Sequence, residues 1–109
     1  TQDIMKVYPN YDKALYTRSV IYLNSGKLKE AIETSKEVLK ENPKYDNSYY
    51  IMALAYLTAG DVNSAKTNLK KCIDGMPNFK PAYELMVQIY QREGNQEMAQ
   101  RFQGYVNQL

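Results

Sequence analysis

The chain has no histidine, no tryptophan and a single cysteine, Cys72, among its 109 residues. Without histidine the commonest general base and the commonest metal ligand are missing, and every Ser-His or Cys-His arrangement with them. Most hydrolytic mechanisms are thereby excluded. One cysteine allows neither an internal disulfide nor a multi-cysteine metal site. No apolar run approaches the ~18 residues that would cross a bilayer, and Thr1 to Tyr8 lack the basic start, apolar stretch and small-residue exit of a signal peptide. Direct membrane insertion is not expected. The compartment stays open, with the cytoplasm slightly favoured because no targeting segment is seen. Charge of one sign is lacking too: 14 basic residues against 12 acidic leave a balance of +2, which points to no nucleic-acid partner. Lys66, Lys70 and Lys71 form the local basic cluster and read as a solvated helix face.

What the chain does have is a period. Gly26, Gly60 and Gly94 stand 34 residues apart, and Tyr22, Tyr56 and Tyr90, and Ala31, Ala65 and Ala99, keep the same step. Pro9, Pro43 and Pro77 follow it as well. Between these markers the apolar residues recur at helical spacing. From about Asn10 to Ser25, Leu15, Ser19, Tyr22 and Leu23 fall on neighbouring turns, with Asp12 as the expected N-cap. From about Leu28 to Glu41, one side carries Leu28, Ala31, Ile32, Val38 and Leu39 and the other is lysine and glutamate. Glycine stops each first helix, and Pro43 and Pro77 close the first two pairs. The central pair runs from Asp46, its expected cap, to about Ala59 and then from Val62 to Gly75. The last pair runs from about Pro81 to Glu93 and from Gln96 to Gln108. Alternation of period two is never sustained, so no strand is expected.

Helices this short are marginal alone and gain stability by stacking. Small residues let them do so: Ser19, Ala53 and Val87 stand opposite Ala31, Ala65 and Ala99. In register with Val38 and Val106, Cys72 reads as a small buried hydrophobe rather than a nucleophile. The paired acids Glu33, Glu37 and Glu41 share a lysine-interleaved face without a cavity to shift their pKa. No catalytic set is visible, and neither an enzyme nor a cofactor is expected.

These residues in this register resemble the tetratricopeptide repeat family, over residues 12 to 109, with the preceding residues similar to the end of a further unit. The large residue at the fourth position is Leu15, Tyr49 or Tyr83. Departures are Arg18 at the usually apolar seventh position, Val87 at the small eighth, and Ser35 and Gln103 at the large twenty-fourth. The resemblance implies an all-α, right-handed superhelical array of antiparallel helix pairs forming a single domain over 1–109. Its parts would be an upstream tail over 1–11 and repeats over 12–45, 46–79 and 80–109. It also implies a concave wall lined by the first helix of each pair.

That wall is graded. Tyr16, Val20 and Leu23 in the first unit and Tyr50, Leu54 and Leu57 in the second, with Ile51 alongside, are apolar. The third unit offers Glu84, Gln88, Gln91 and Arg92. The expected function is that of a scaffold or adaptor, part of a larger protein, holding a peptide or partner helix with its apolar anchors on the first two units and its polar end at Gln88 and Arg92. The alternative is a chaperone-like or self-associating module, a homo-oligomer included, that shields an apolar segment of a client or a second copy. The family's carboxylate-gripping members carry Lys, Asn and Arg on this wall, where Tyr16, Val20, Ile51, Pro81 and Leu85 stand here, so a C-terminal carboxylate is disfavoured as the ligand. The other tyrosines are assigned to packing, and Phe102, Tyr105 and Leu109 are a candidate docking point for a following domain.

Overall fold

A computed structural model describes residues 11–109. Of the expected upstream tail over 1–11, residues 1–10 lie outside the described residues, and Tyr11 belongs to the first helix below. Among the described residues six helices follow one another: α1 (Tyr11–Asn24), α2 (Leu28–Glu41), α3 (Asn47–Thr58), α4 (Val62–Gly75), α5 (Lys80–Arg92) and α6 (Gln96–Gln108). No strand occurs among the described residues. Each odd helix packs on the even helix that follows it, and α2 packs on α3 and α4 on α5, so three hairpins stack in chain order. The result is an all-α superhelical array, elongated at 49 × 28 × 18 Å. Its radius of gyration, 14.8 Å, exceeds the ~13 Å of a rounded domain of about 100 residues.

The three glycine turns are copies of one another. Gly26, Gly60 and Gly94 take φ of 77°, 90° and 75°, which only glycine adopts without cost. In each turn the residue after glycine donates its N–H to the helix carbonyl five residues back: Lys27 to Tyr22, Asp61 to Tyr56 and Asn95 to Tyr90, all at 2.9 Å. Each glycine N–H bonds three residues back at 3.1 Å. This is the Schellman arrangement, which satisfies carbonyls the helix end would leave orphaned.

The next residue then caps the second helix, with unequal success. Asp61 accepts from the Ser64 N–H at 3.1 Å and from its hydroxyl at 2.7 Å, and these two bonds hold its carboxyl below the usual carboxylate range. Asn95 accepts from Met98 N–H at 3.2 Å. Lys27, in the same place, makes no side-chain cap. Lys27→Asp should therefore stabilise the chain by about 1 kcal/mol, combining a cap with a better charge for the helix N-terminus. Thermal unfolding followed by circular dichroism checks this, and an unchanged midpoint would count against it.

Two expected caps on first helices are corrected. Asp12 lies inside the first turn of α1, and its carboxylate instead accepts from the Asn42 amide at 2.8 Å, tying the end of α2 to the start of α1. Asp46 occupies the N-cap position of α3 but makes no capping hydrogen bond. Its carboxylate lies against the end of α4, where a β-carbon on Gly75 would collide with it.

The core is concentrated in the second and third hairpins. Ala53, Ala65, Leu69, Cys72, Ala82, Met86 and Ile89 are buried in one cluster. The first hairpin buries Leu15, Ala31 and Val38 together with the polar Ser19, Thr34 and Ser35. Ser35 stands where the second hairpin has Leu69, and its hydroxyl finds no partner, nor does that of buried Ser48 across the α2/α3 junction. The small residues expected at the intra-hairpin contacts, from Ser19 and Ala31 to Val87 and Ala99, are all buried.

The stripe by which each second helix meets the next hairpin changes down the array. It reads Leu28, Ile32, Ser35, Leu39 in α2, then Val62, Lys66, Leu69, Ile73 in α4, then Gln96, Gln100, Gln103, Asn107 in α6. The first two sets are buried or half-buried, and the four amide residues of α6 are exposed. Lys66 corrects the expectation of a purely solvated basic face. Its ammonium stands 2.8 Å from Glu93 and 4.9 Å from the centroid of the Tyr90 ring, pinning α4 to α5.

Candidate functional site

The first helices α1, α3 and α5 repeat the same positions at each step of the array, so the expected wall can be followed rung by rung. Tyr16, Val20 and Leu23 of α1 and Tyr50, Leu54 and Leu57 of α3 are all half-buried. Glu84, Gln88, Gln91 and Arg92 of α5 are exposed. Ile51 differs from its neighbours: it is 5% exposed, with Leu85 at the matching place in α5 at 7%. Ile51 therefore packs beneath the wall instead of forming its open surface, and its place in the expected binding set is corrected accordingly.

The wall tyrosines are braced by aromatics from the loops between hairpins. Tyr16 leans on Tyr45, with centroids 5.1 Å apart and planes tilted 33°. One period on, Tyr50 meets Phe79 edge to face at 5.2 Å and 83°. Such contacts fix ring orientation and contribute about 0.5–1.5 kcal/mol beyond burial. Reading the sequence assigned Tyr45 to packing and passed over Phe79. The signal was present, since each stands two residues after the proline that closes a hairpin, in Pro43-Lys44-Tyr45 and Pro77-Asn78-Phe79.

Burial pushes the phenols of Tyr16, Tyr45 and Tyr50 up from their ordinary value. Tyr45 adds to the rise at Tyr16, where the nearby Asn47 amide opposes it. Asp12 adds to it at Tyr45, and at Tyr50 Cys72 and then Glu84 do so. All three hydroxyls thus stay protonated near neutral pH and can donate hydrogen bonds. The chemistry on offer is apolar contact area with phenol donors at one end and a carboxylate, amides and a guanidinium at the other.

Two depressions lie away from this wall. One, of about 350 Å³, is bordered by Ile73, Tyr83, Phe102 and Tyr105. There Tyr83 donates to the Pro77 carbonyl at 2.7 Å and Tyr105 packs edge to face on both Tyr83 and Phe102. The other, of about 550 Å³, has Leu28, Ile32, Tyr56 and Ala59 among its lining residues. It sits at the junction that, one period on, is closed by the Lys66–Glu93 pair.

Cys72 is fully buried, and desolvation, with Asp46 adding to it, pushes its thiol up to about 11. It is held as a neutral thiol, not a nucleophilic thiolate. Among the described residues no group of His, Cys, Asp and Glu is placed as metal ligands would be, and no helix is long and apolar enough to cross a membrane.

Solved structures of MamA share this architecture. MamA 41-end from Desulfovibrio magneticus RS-1 superimposes with a TM-score of 0.83 at 20% identity, covering 99% of this chain and 61% of that one. The MamA RS-1 ArsTM double mutant gives 0.82 at 20%, covering 98% and 60%, and MamA MSR-1 gives 0.78 at 19%, covering 98% and 62%. The chain thus spans about 60% of the length of these MamA chains, and at such identities the likeness is one of fold. No curated protein sequence matches. The family model for the second ARM domain of Tetratricopeptide repeat protein 21 matches residues 2–94, a span that takes in the first five helices and leaves out the glutamine-rich α6. With most of its length so matched and its three hairpins in register, the chain belongs to this family of tetratricopeptide-type helical repeats.

Proposed function

We propose that the chain is a protein-interaction scaffold or adaptor that takes a peptide or partner helix on the wall of its first helices. The anchors are Tyr16, Val20, Leu23, Tyr50, Leu54 and Leu57, and the polar end of the ligand meets Gln88 and Arg92. The observation that carries this is the chemical step along one wall: six apolar side chains in register remain partly exposed in α1 and α3, while their counterparts in α5 are exposed and polar. Braced aromatics suit recognition, because little side-chain freedom is lost when a ligand covers them.

The test is a random peptide library displayed on phage and selected against the chain. For the selected peptides, the double variant Tyr50→Ser/Leu54→Ser should weaken binding on the order of 100-fold in fluorescence anisotropy, as expected of central anchors, while the variant remains folded. If the double variant melts far below the parent and the selected peptides still bind it, these residues only cover the core and the reading fails.

Self-association is the second reading, favoured by Ile21. It is 57% exposed, whereas Ala55 and Ile89 at the same register are buried. Light scattering over a concentration series distinguishes the two, since a constant monomer mass removes this alternative.

A further inference from the structure

We propose that the wall takes a helix: an amphipathic segment of a partner protein, its apolar residues recurring every third or fourth position, that lies along the seam between α1 and α3. This rests on the wall reading above and commits it to one ligand shape, a partner helix and not an extended peptide. The anchors on each first helix stand at i, i+4 and i+7: Tyr16, Val20 and Leu23 on α1, and Tyr50, Leu54 and Leu57 on α3. Residues so spaced form one stripe down a helix, about 10 Å from first to last. The two stripes lie side by side, because α1 and α3 touch directly and, as first helices of successive hairpins, run the same way. All six side chains keep part of their surface open.

The chain itself shows what such a pair of helices receives. On their buried side α1 and α3 share α2, which packs against both and carries the stripe Leu28, Ile32, Ser35 and Leu39, spaced by four, three and four residues. A helix on the open side repeats that arrangement, its own stripe settling into the row between the anchors. An extended segment fits less well, because its backbone N–H and C=O groups would be pressed on Val20, Leu23, Leu54 and Leu57, which offer them no hydrogen-bonding atom. A helix arrives with those groups already paired. The strip is also no wider than one helix covers: α3 and α5 make little direct contact, and the matching positions of α5 are the exposed, polar Glu84, Gln88 and Gln91. The polar flank of the bound helix, at the end nearest Leu57, is then the part that meets Gln88 and Arg92.

The same displayed library tests this. Peptides selected on the parent chain should carry large apolar residues at i, i+3 or i+4, and i+7, with no proline between them. In a selected peptide, proline placed midway between the anchors at a position pointing away from them should weaken binding on the order of 100-fold, the factor by which it disfavours a helix interior, whereas alanine there should leave binding within about twofold. Carbon-13 Cα shifts of the labelled peptide should move to helical values on binding. Val20→Ser, on the other helix of the seam from Leu54, should weaken the same peptides about tenfold. Peptides that keep extended-chain shifts and accept the proline, or that bind Val20→Ser as tightly as the parent, yet are weakened by Tyr50→Ser/Leu54→Ser, would overturn the inference while leaving the wall reading intact. Peptides indifferent to Tyr50→Ser/Leu54→Ser would overturn both.

Discussion

Leu69→Ala should lower the unfolding free energy by about 2–5 kcal/mol, the range for deleting a fully buried leucine from a core that cannot collapse around the gap. Leu69 is completely buried in the cluster that joins α4 to α5, with Cys72, Met86, Ile89 and Tyr90. Its loss weakens both the second hairpin and its junction with the third. The register-matched Ser35→Ala should move stability the opposite way, by up to ~1–2 kcal/mol, because it removes a buried hydroxyl that has no partner while leaving the packing volume almost unchanged. Urea unfolding of both variants measures the contrast. Opposite-signed results, the loss the larger, would show that one period position can hold a misfit polar group in one hairpin and a structural leucine in the next. A loss at Ser35→Ala as large as that at Leu69→Ala would mean the serine hydroxyl is paired in solution.

The second large effect concerns where the chain opens. Native-state hydrogen exchange should show amides of α1 and α2 protected at least about 100-fold less than those of α4 and α5, corresponding to local opening that is cheaper by about 3 kcal/mol. The physical cause is the uneven burial already described. The first hairpin has Leu15, Ala31 and Val38 around three buried hydroxyl residues, Ser19, Thr34 and Ser35, whereas the middle of the array shares a continuous apolar cluster. In stacked repeats each hairpin is held by its own contacts and its neighbours', so a weak core at one position shows as early local opening instead of a lower global midpoint. Uniform protection across the hairpins would refute it.

The period made the helix pairs legible before any coordinates, because glycine at a positive φ and proline after a helix end have few structural uses. Gly26, Gly60 and Gly94 carry three identical turns as that logic requires. What the period leaves open is depth. It assigns Ile51 and Leu54 to neighbouring faces of one helix but does not tell that the first is buried while the second is half-open, since that depends on how far adjacent hairpins rotate. Capping could have been read at the short glycine turns, where Asp61 and Asn95 behave as their residue types suggest, although neither was expected as a cap. It was not legible at the longer loops: Asp12 bonds Asn42 from the other helix of its hairpin, and Asp46 lies against Gly75 at the far end of its own. Both acids serve tertiary contacts that no local pattern encodes. The wall's composition could be read off directly, whereas the bracing of Tyr16 by Tyr45 and of Tyr50 by Phe79 required knowing that the loop after each proline folds back toward the first helices.

The amide stripe on α6 bears on how such an array could be lengthened in the laboratory. Grafting a copy of the second hairpin after α6 would bring apolar side chains down onto Gln96, Gln100, Gln103 and Asn107, stripping water from four amides without supplying donors or acceptors in return. A longer solenoid built from these parts would first need those four positions rewritten as the Val62, Lys66, Leu69 and Ile73 of α4. The duplicated module itself, with its Schellman turn and aspartate cap, could be used unaltered.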